Sequence, residues 1–283
     1  MQIVETAEEL RAAIAELRTA GKRIGFVPTM GALHRGHLSL VTAAQRECDA
    51  VVVSIFVNPT QFGEGEDFED YPRPVEKDIA QLAADNVTLV FTPSVETMYP
   101  PAATTWVEVT GPLTQMWEAA QRPEHFRGVT TVVATLFHLV WPDVAYFGQK
   151  DYQQVAVIRR MTRDLQFPIE IQACPTVREP NGLALSSRNA YLNEKQRSAA
   201  LSLSKGLFAA RKSFESGERD GAVLQSAVNA IFDAHPSVNV DYIAVVDPDS
   251  LQPLEAIEKA GVILVAARVG KTRLIDNIVL GEF

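Results

Sequence analysis

Two histidines three residues apart, His34 and His37, stand in the stretch VPTMGALHRGHLSLV (27–41), with Gly31 and Gly36 beside them. Three chemistries compete for such a pair. A metal site is one, since residues at i and i+3 can share a helix face. Zinc generally needs three protein ligands, and no third stands nearby in sequence. A capping or packing role is the second, and it needs no glycines. Phosphate handling is the third, and it does need them. A residue without Cβ lets backbone approach a phosphate chain. A helix beginning near Gly36 would aim free N–H groups and its positive dipole end at an anion. Two imidazoles there could donate to a pentavalent α-phosphate and to the departing pyrophosphate. A modest environmental shift would keep such rings charged near neutral pH. The glycines favour this third reading.

The elements that must hold this turn follow from periodicity. TAEELRAAIAELRTAG opens with a capping box, Thr6 and Glu9, and carries Leu10, Ile14 and Leu17 at helical spacing up to Gly21. RIGFV reads as a short buried strand cut by Pro28. AVVVSIFV (50–57) is an unbroken apolar run of the kind that suits a parallel strand covered on both faces. VTLVF (87–91) and VAYF (144–147) look similar. Helical patterns at 38–48, 73–84, 128–140 and 151–165 lie around them. This alternation predicts an α/β fold, a Rossmann-like doubly wound parallel sheet, with ligands at the carboxyl ends of its strands. The histidine turn leaves what reads as the first strand. After about residue 175 the pattern changes to two helices (193–216 and 220–234) and strands in VDYIAVVD, GVILVAARVG and TRLIDNIVL. The expected organisation is a domain over 1–175 and a smaller C-terminal α+β domain over 176–283.

Composition narrows the function. The chain has 283 residues, 47% of them apolar, and a net charge of −9. Without a basic run, no nucleic-acid partner is expected. Cys48 and Cys174 form no C-x-x-C pair, which points to a reduced, cytoplasmic setting. The N-terminus lacks the charged-then-apolar order of a secretory signal, and no apolar run reaches the roughly 18 residues needed to span a bilayer, so no membrane partner is expected. The acidic segment GEGEDFEDYPR (63–73) has two readings, a solvated loop or a mobile lid. VGKT (269–272) mimics the end of a P-loop, but Val265 stands where that motif needs glycine, so a hairpin turn is expected.

Other residues could serve phosphate or a small acid. Lys150, in FGQKD, follows the strand at 144–147 and so falls at the same strand-end rim; the alternative is a plain surface lysine. Ser186, Ser187 and Arg188, in LSSR, can each donate to phosphate oxygens, the arginine bidentately; the alternative is an ordinary polar loop. Asn58, Gln61 and Gln154 are neutral amides that could bind hydroxyls and a carboxylate without the desolvation of a full charge.

HRGH after a strand resembles the H-x-G-H signature of the adenylyl-transferring α/β superfamily that includes class I aminoacyl-tRNA synthetases. VPTMGALHRGHLSL, SIFVNPTQF, HFRGVTTVV, FGQKDYQQ and GLALSSRN stand in the order and spacing of the bacterial pantothenate synthetase family, and the similarity covers about residues 3 to 277. The resemblance implies ATP-dependent ligation of pantoate and β-alanine through pantoyl adenylate. It implies catalytic roles for His34, His37, Lys150 and Arg188. It implies an ATP site of Met30, Gly31, Ala32, Leu33, His34, Arg35, Gly36, His37, Gly148, Gln149, Lys150, Asp151, Val177, Leu185, Ser186, Ser187 and Arg188; Asp151 is alternatively a helix cap. It implies substrate contacts at Gln61, Gln154, Asn58 and Arg122, with His125 and Arg127 as further candidates. Val132 and Val133 are either an apolar pocket wall or helix core. Mg²⁺ is expected with the ATP; no carboxylate cluster marks its ligands, Asp78 is at most an outer contact, and its residues stay open. A homodimer and a second domain closing over the site are family expectations. The competing functions are a nucleotidylyltransferase that leaves the nucleotide on its product, and a nucleotide-binding module without turnover.

Overall fold

The computed structural model describes residues 1–282 and divides into two compact units: Met1–Gly148 with Val157–Cys174, and Gln149–Ala156 with Pro175–Phe283. In chain order the elements of the first part are β1 (Gln2–Val4), α1 (Ala7–Thr19), β2 (Ile24–Thr29), α2 (Arg35–Glu47), β3 (Ala50–Ile55), α3 (Val75–Ala84), β4 (Leu89–Phe91), α4 (Val95–Met98), α5 (Glu118–Gln121), α6 (His125–Val140), β5 (Val144–Gly148), α7 (Tyr152–Asp164) and β6 (Glu170–Cys174).

All six strands of the first unit pair in parallel, in the order β1-β4-β3-β2-β5-β6. The order in which strands are added reverses between β2 and β5, so the open crevice of this topology falls at their carboxyl ends. The histidine turn leaves β2 there, and Gly148 ends β5 there. Tyr146 belongs to the cluster that α2 forms with Val27, Val51 and Val53, while its neighbour Phe147 packs edge-on against Phe137 of α6. Adjacent strand residues face opposite ways, so α2 and α6 cover opposite faces of the sheet.

Three readings from sequence need correction. The strand after Gly21 is not cut at Pro28; β2 runs through it to Thr29. Proline is tolerated because β5 pairs with β2 only at Gly25 and Phe26, so the missing N–H breaks no rung on that side. The histidine turn follows the second strand rather than the first, because Gln2–Val4 forms an edge strand on β4. Glu170–Cys174 forms the other edge, on β5, where no strand was expected. The expected capping box of α1 is present, with Thr6 and Glu9 bonding reciprocally.

In the second unit, α8 (Glu194–Glu215) and α9 (Gly221–Asp233) pack on an antiparallel sheet β7-β8-β9, formed by Val238–Val246, Ala260–Val269 and Thr272–Gly281. Leu203, Leu207, Leu224, Val228, Ile243 and Val265 lie in one core. The VGKT segment is the expected hairpin: Val269 pairs Thr272, and Gly270 takes a φ of +62°. No helix among the described residues is long and apolar enough to cross a membrane.

Candidate active site

The turn after β2 is built by backbone strain and a buried carboxylate. Gly31 has a φ of +79° and Ala32 one of +50°. Such a conformation is costly for alanine and persists only where its surroundings over-determine it. Asp78, from α3 and 1% exposed, does so: its two carboxylate oxygens accept from Ala32 N–H at 2.7 Å and Leu33 N–H at 2.8 Å. Burial pushes the Asp78 carboxyl up, and the two N–H donors offset only part of that. Thr29 Oγ1 donates to Ser54 O at 2.8 Å and accepts from Gly31 N–H at 3.1 Å, tying the turn to β3. Asp78 thus faces backbone. Among the described residues, no three or more His, Cys, Asp or Glu side chains converge on a metal-sized space.

The two histidines cap α2 reciprocally. His34 is its N-cap, and its Nδ1 accepts from Gly36 N–H at 3.1 Å, while His37 Nδ1 accepts from His34 N–H at 3.3 Å. The rings stack at 4.1 Å between centroids. An imidazole nitrogen that accepts carries no proton, which leaves Nε2 as the nitrogen of each ring that can donate. A second proton on either ring would have to displace one of these capping bonds. The capping reading holds at Nδ1 of each ring and is compatible with a donor role for Nε2. The helix starts at Arg35, one residue before the expected Gly36.

The NPTQF turn is held by Asn58 rather than merely presenting it. Asn58 is buried. Its Oδ1 accepts from Tyr99 Oη at 2.7 Å, Thr60 Oγ1 at 2.9 Å and Thr60 N–H at 3.3 Å. Its Nδ2 donates to Gln61 Oε1 at 3.1 Å and Gly128 O at 3.2 Å. That amide is fully engaged within the protein. Gln61 Nε2 contacts Met30 Sδ at 3.0 Å, which joins this turn to the histidine turn.

Arg122 is likewise engaged. Its Nε and Nη2 donate to the two oxygens of Glu66, both at 2.6 Å, and Nη2 also reaches Gln61 O at 3.2 Å. His125 Nδ1 donates to the same carbonyl at 2.8 Å, and its Nε2 accepts from Arg122 Nη1 at 3.2 Å. Burial, then the neighbouring Arg122 charge, holds His125 down at about 4, so it is neutral at physiological pH. Burial raises Glu66, but its bonds to Arg122 outweigh that and its carboxyl ends below the ordinary value. The acidic loop is neither freely solvated nor bare. Glu66 anchors it, Phe62 packs edge-on against Phe68 and Tyr71, and Arg73 donates to three of its carbonyls. Arg127 pairs with Glu124 and lies over Trp106. Val132 and Val133 are buried in α6.

The remaining candidates belong to the second unit. Gln149–Asp151 form a 3₁₀ turn, with Lys150 Nζ 3.4 Å from Asp151 Oδ1, and half-buried Gln154 follows in the first turn of α7. Leu185 N–H donates to Val177 O at 2.9 Å, so these two candidates lie side by side. Ser186 caps a second 3₁₀ turn, Ser187–Tyr191, accepting from Arg188 N–H at 3.3 Å. Both 3₁₀ turns rest on β9. Thr29 and the Gln61 carbonyl relay carried no sequence signal strong enough to find them, and Asp78, read from sequence as an outer Mg²⁺ contact at most, holds the histidine turn instead. Each acts on backbone across a gap in sequence.

A family model described as pantoate-beta-alanine ligase matches residues 2–279. The chain is 56% identical to a pantothenate synthetase of Acidobacterium capsulatum, covering 100% of this chain and 98% of that protein. It is 53% identical to one of Moorella thermoacetica, with 99% of each covered. The crystal structure of pantothenate synthetase from Thermus thermophilus aligns with a TM-score of 0.94 at 51% identity, over 98% of this chain and 99% of that one. A pantoate-beta-alanine ligase from Francisella tularensis, complexed with beta-gamma ATP and beta-alanine, aligns with a TM-score of 0.82 at 35% identity, over 99% and 97%.

Proposed function

The chain belongs to the pantoate–β-alanine ligase family, and from that premise we propose that it joins pantoate to β-alanine in two steps driven by ATP. A pantoate carboxylate oxygen attacks the α-phosphorus, the α–β anhydride bond breaks, and pyrophosphate leaves. The neutral amine of β-alanine then attacks the acyl carbon, the bond to AMP breaks, and the amine releases a proton. The observation that carries the reading is the pair of imidazoles capping α2 through Nδ1, which leaves Nε2 of each as the nitrogen that can donate, on one glycine turn at the carboxyl end of β2. Preorganised donors of this kind stabilise charge that develops at phosphorus and on the leaving group.

In this reading His34 and His37 donate to the phosphates, and Lys150 and Arg188 supply positive charge. Met30, Gly31, Ala32, Leu33, Arg35, Gly36, Gly148, Gln149, Asp151, Val177, Leu185, Ser186 and Ser187 line the nucleotide. Gln61 and Gln154 hold pantoate. Asn58 serves by holding Gln61, and Arg122 by holding both Glu66 and the Gln61 carbonyl. Mg²⁺ fits as an ion carried in on the ATP phosphates with its own waters, since it needs few protein carboxylates; bound there, it supplies charge neutralisation. We also propose a cytoplasmic homodimer, for which light scattering should give twice the chain mass, and a two-domain division near residue 175 with the C-terminal part closing over the adenylate.

Pantoate-dependent exchange of labelled pyrophosphate into ATP, with Mg²⁺ and without β-alanine, tests the reading. Exchange is expected, because the adenylate forms reversibly before any amine is present. A folded, ATP-binding protein that gives no exchange with pantoate would sink it.

A further inference from the structure

We infer that Asn277 is a positioning residue for Lys150. The inference rests on the proposed role of Lys150 in adenylation. Asn277 lies in β9 opposite Leu264 and is 2% exposed. Its Nδ2 donates to two consecutive carbonyls, Gln149 O at 2.9 Å and Lys150 O at 2.8 Å. Its Oδ1 accepts from Gln149 Nε2 at 3.4 Å. One planar amide thereby orients the peptide planes on both sides of Lys150 and so the direction in which its side chain departs. Holding two carbonyls with one group requires two N–H donors in one plane. An amide offers them without burying a charge, which at this exposure would be costly.

Asn277 is itself framed. Its N–H donates to Asp276 Oδ1 at 2.8 Å, and its carbonyl accepts from Arg178 Nη2 at 3.3 Å. Arg178 and Asp276 form a bidentate pair at 2.6 and 2.8 Å, and Arg178 also donates to Gly182 O. The chain thus passes orientation from a buried ion pair to an amide and then to the root of a lysine with four rotatable bonds. Fixing the root leaves fewer conformers in which the ammonium misses its target. A displacement near 1 Å at such a position can lower the rate about a hundredfold.

The test is a double-mutant cycle read by pantoate-dependent pyrophosphate exchange at saturating and limiting ATP. Asn277→Asp keeps the shape but faces two carbonyls with an acceptor. Asn277→Ala removes the donors without adding charge, and it serves where the aspartate variant does not fold, as judged by circular dichroism. Either is expected to lower exchange roughly 10- to 100-fold, with urea midpoints recorded beside the rates. In a Lys150→Ala background the same change should lower exchange no further, because its effect runs through the missing side chain. An equal fold-loss in both backgrounds would assign Asn277 a general structural role and overturn the inference. Wild-type exchange in both Asn277 variants would overturn it directly. Wild-type exchange in Lys150→Ala alone would instead remove the role of Lys150, and the inference with it.

Discussion

Gly128 is where packing and substrate recognition meet most tightly. It lies in the first turn of α6, against the Asn58–Gln61 turn. A Cβ built on it would stand 2.2 Å from Thr60 O, 2.5 Å from Thr60 C and 2.7 Å from Gln61 N. Ordinary van der Waals contact begins near 3.4 Å, so Gly128→Ala leaves a deficit of about 1.2 Å against backbone, which no side-chain rotation relieves. The helix has little room to retreat, since Phe126, Val129, Val132, Val133 and Phe137 are all buried. The turn must therefore move. Moving it pulls Asn58 Nδ2 from Gly128 O and Gln61 O from His125, and it shifts the Gln61 amide by a distance of the same order. Overpacking of this kind typically destabilises by about 1–3 kcal/mol. A shift near 1 Å in a positioning group lowers the rate about a hundredfold. The variant should therefore show a lower urea midpoint and a kcat/KM for pantoate reduced by roughly two orders of magnitude, with KM for ATP changed much less. Wild-type stability together with wild-type pantoate kinetics would refute the reasoning, because the clash would then be absorbed without moving the turn.

Four further outcomes follow from the same geometry. Asp78→Ala removes the carboxylate that accepts from the Ala32 and Leu33 N–H groups and should cost about 2–4 kcal/mol, with a parallel fall in exchange; an unchanged urea midpoint would show that the turn does not depend on the carboxylate. His125 titrates at about 4 in the folded protein against an ordinary 6.5, so between those values the unfolded chain binds more protons and stability falls as pH falls. His125→Gln should therefore lose stability less steeply than wild type between pH 6.5 and 4, by up to about 1.4 kcal/mol per pH unit; parallel urea profiles would exclude the buried neutral ring. His37→Ala should reduce pyrophosphate exchange about 10²–10³-fold, and near-wild-type exchange would remove it from the reaction. Gln61→Ala should raise KM for pantoate more than it lowers kcat, and unaltered pantoate affinity by calorimetry would take Gln61 out of the pocket.

What the sequence determined by itself was local. The α1 capping box, the apolar run that became β3, the two-residue hairpin at Gly270 and the glycine-flanked histidine pair all depend on residues within a few positions of one another, where spacing and backbone preference decide. The alternation of strands and helices likewise required a parallel sheet, and so placed the histidine turn at a strand end. Tertiary structure decided the rest. Gln2–Val4 and Glu170–Cys174 are short, half-exposed segments whose strand character comes from the neighbour they pair with. Pro28 stays in a strand because β5 pairs elsewhere along it. Which nitrogen of each histidine holds the proton depends on the N–H groups that meet it. Arg122 stands in sequence as a substrate contact implied by resemblance, yet it is bonded bidentately to a carboxylate 56 positions away. Asp78 reaches across 46 residues to hold Ala32, and Asn277 across 127 to hold Lys150. Such groups act on backbone N–H and C=O, which every residue carries, so their partners leave no mark in sequence and only the folded chain selects them.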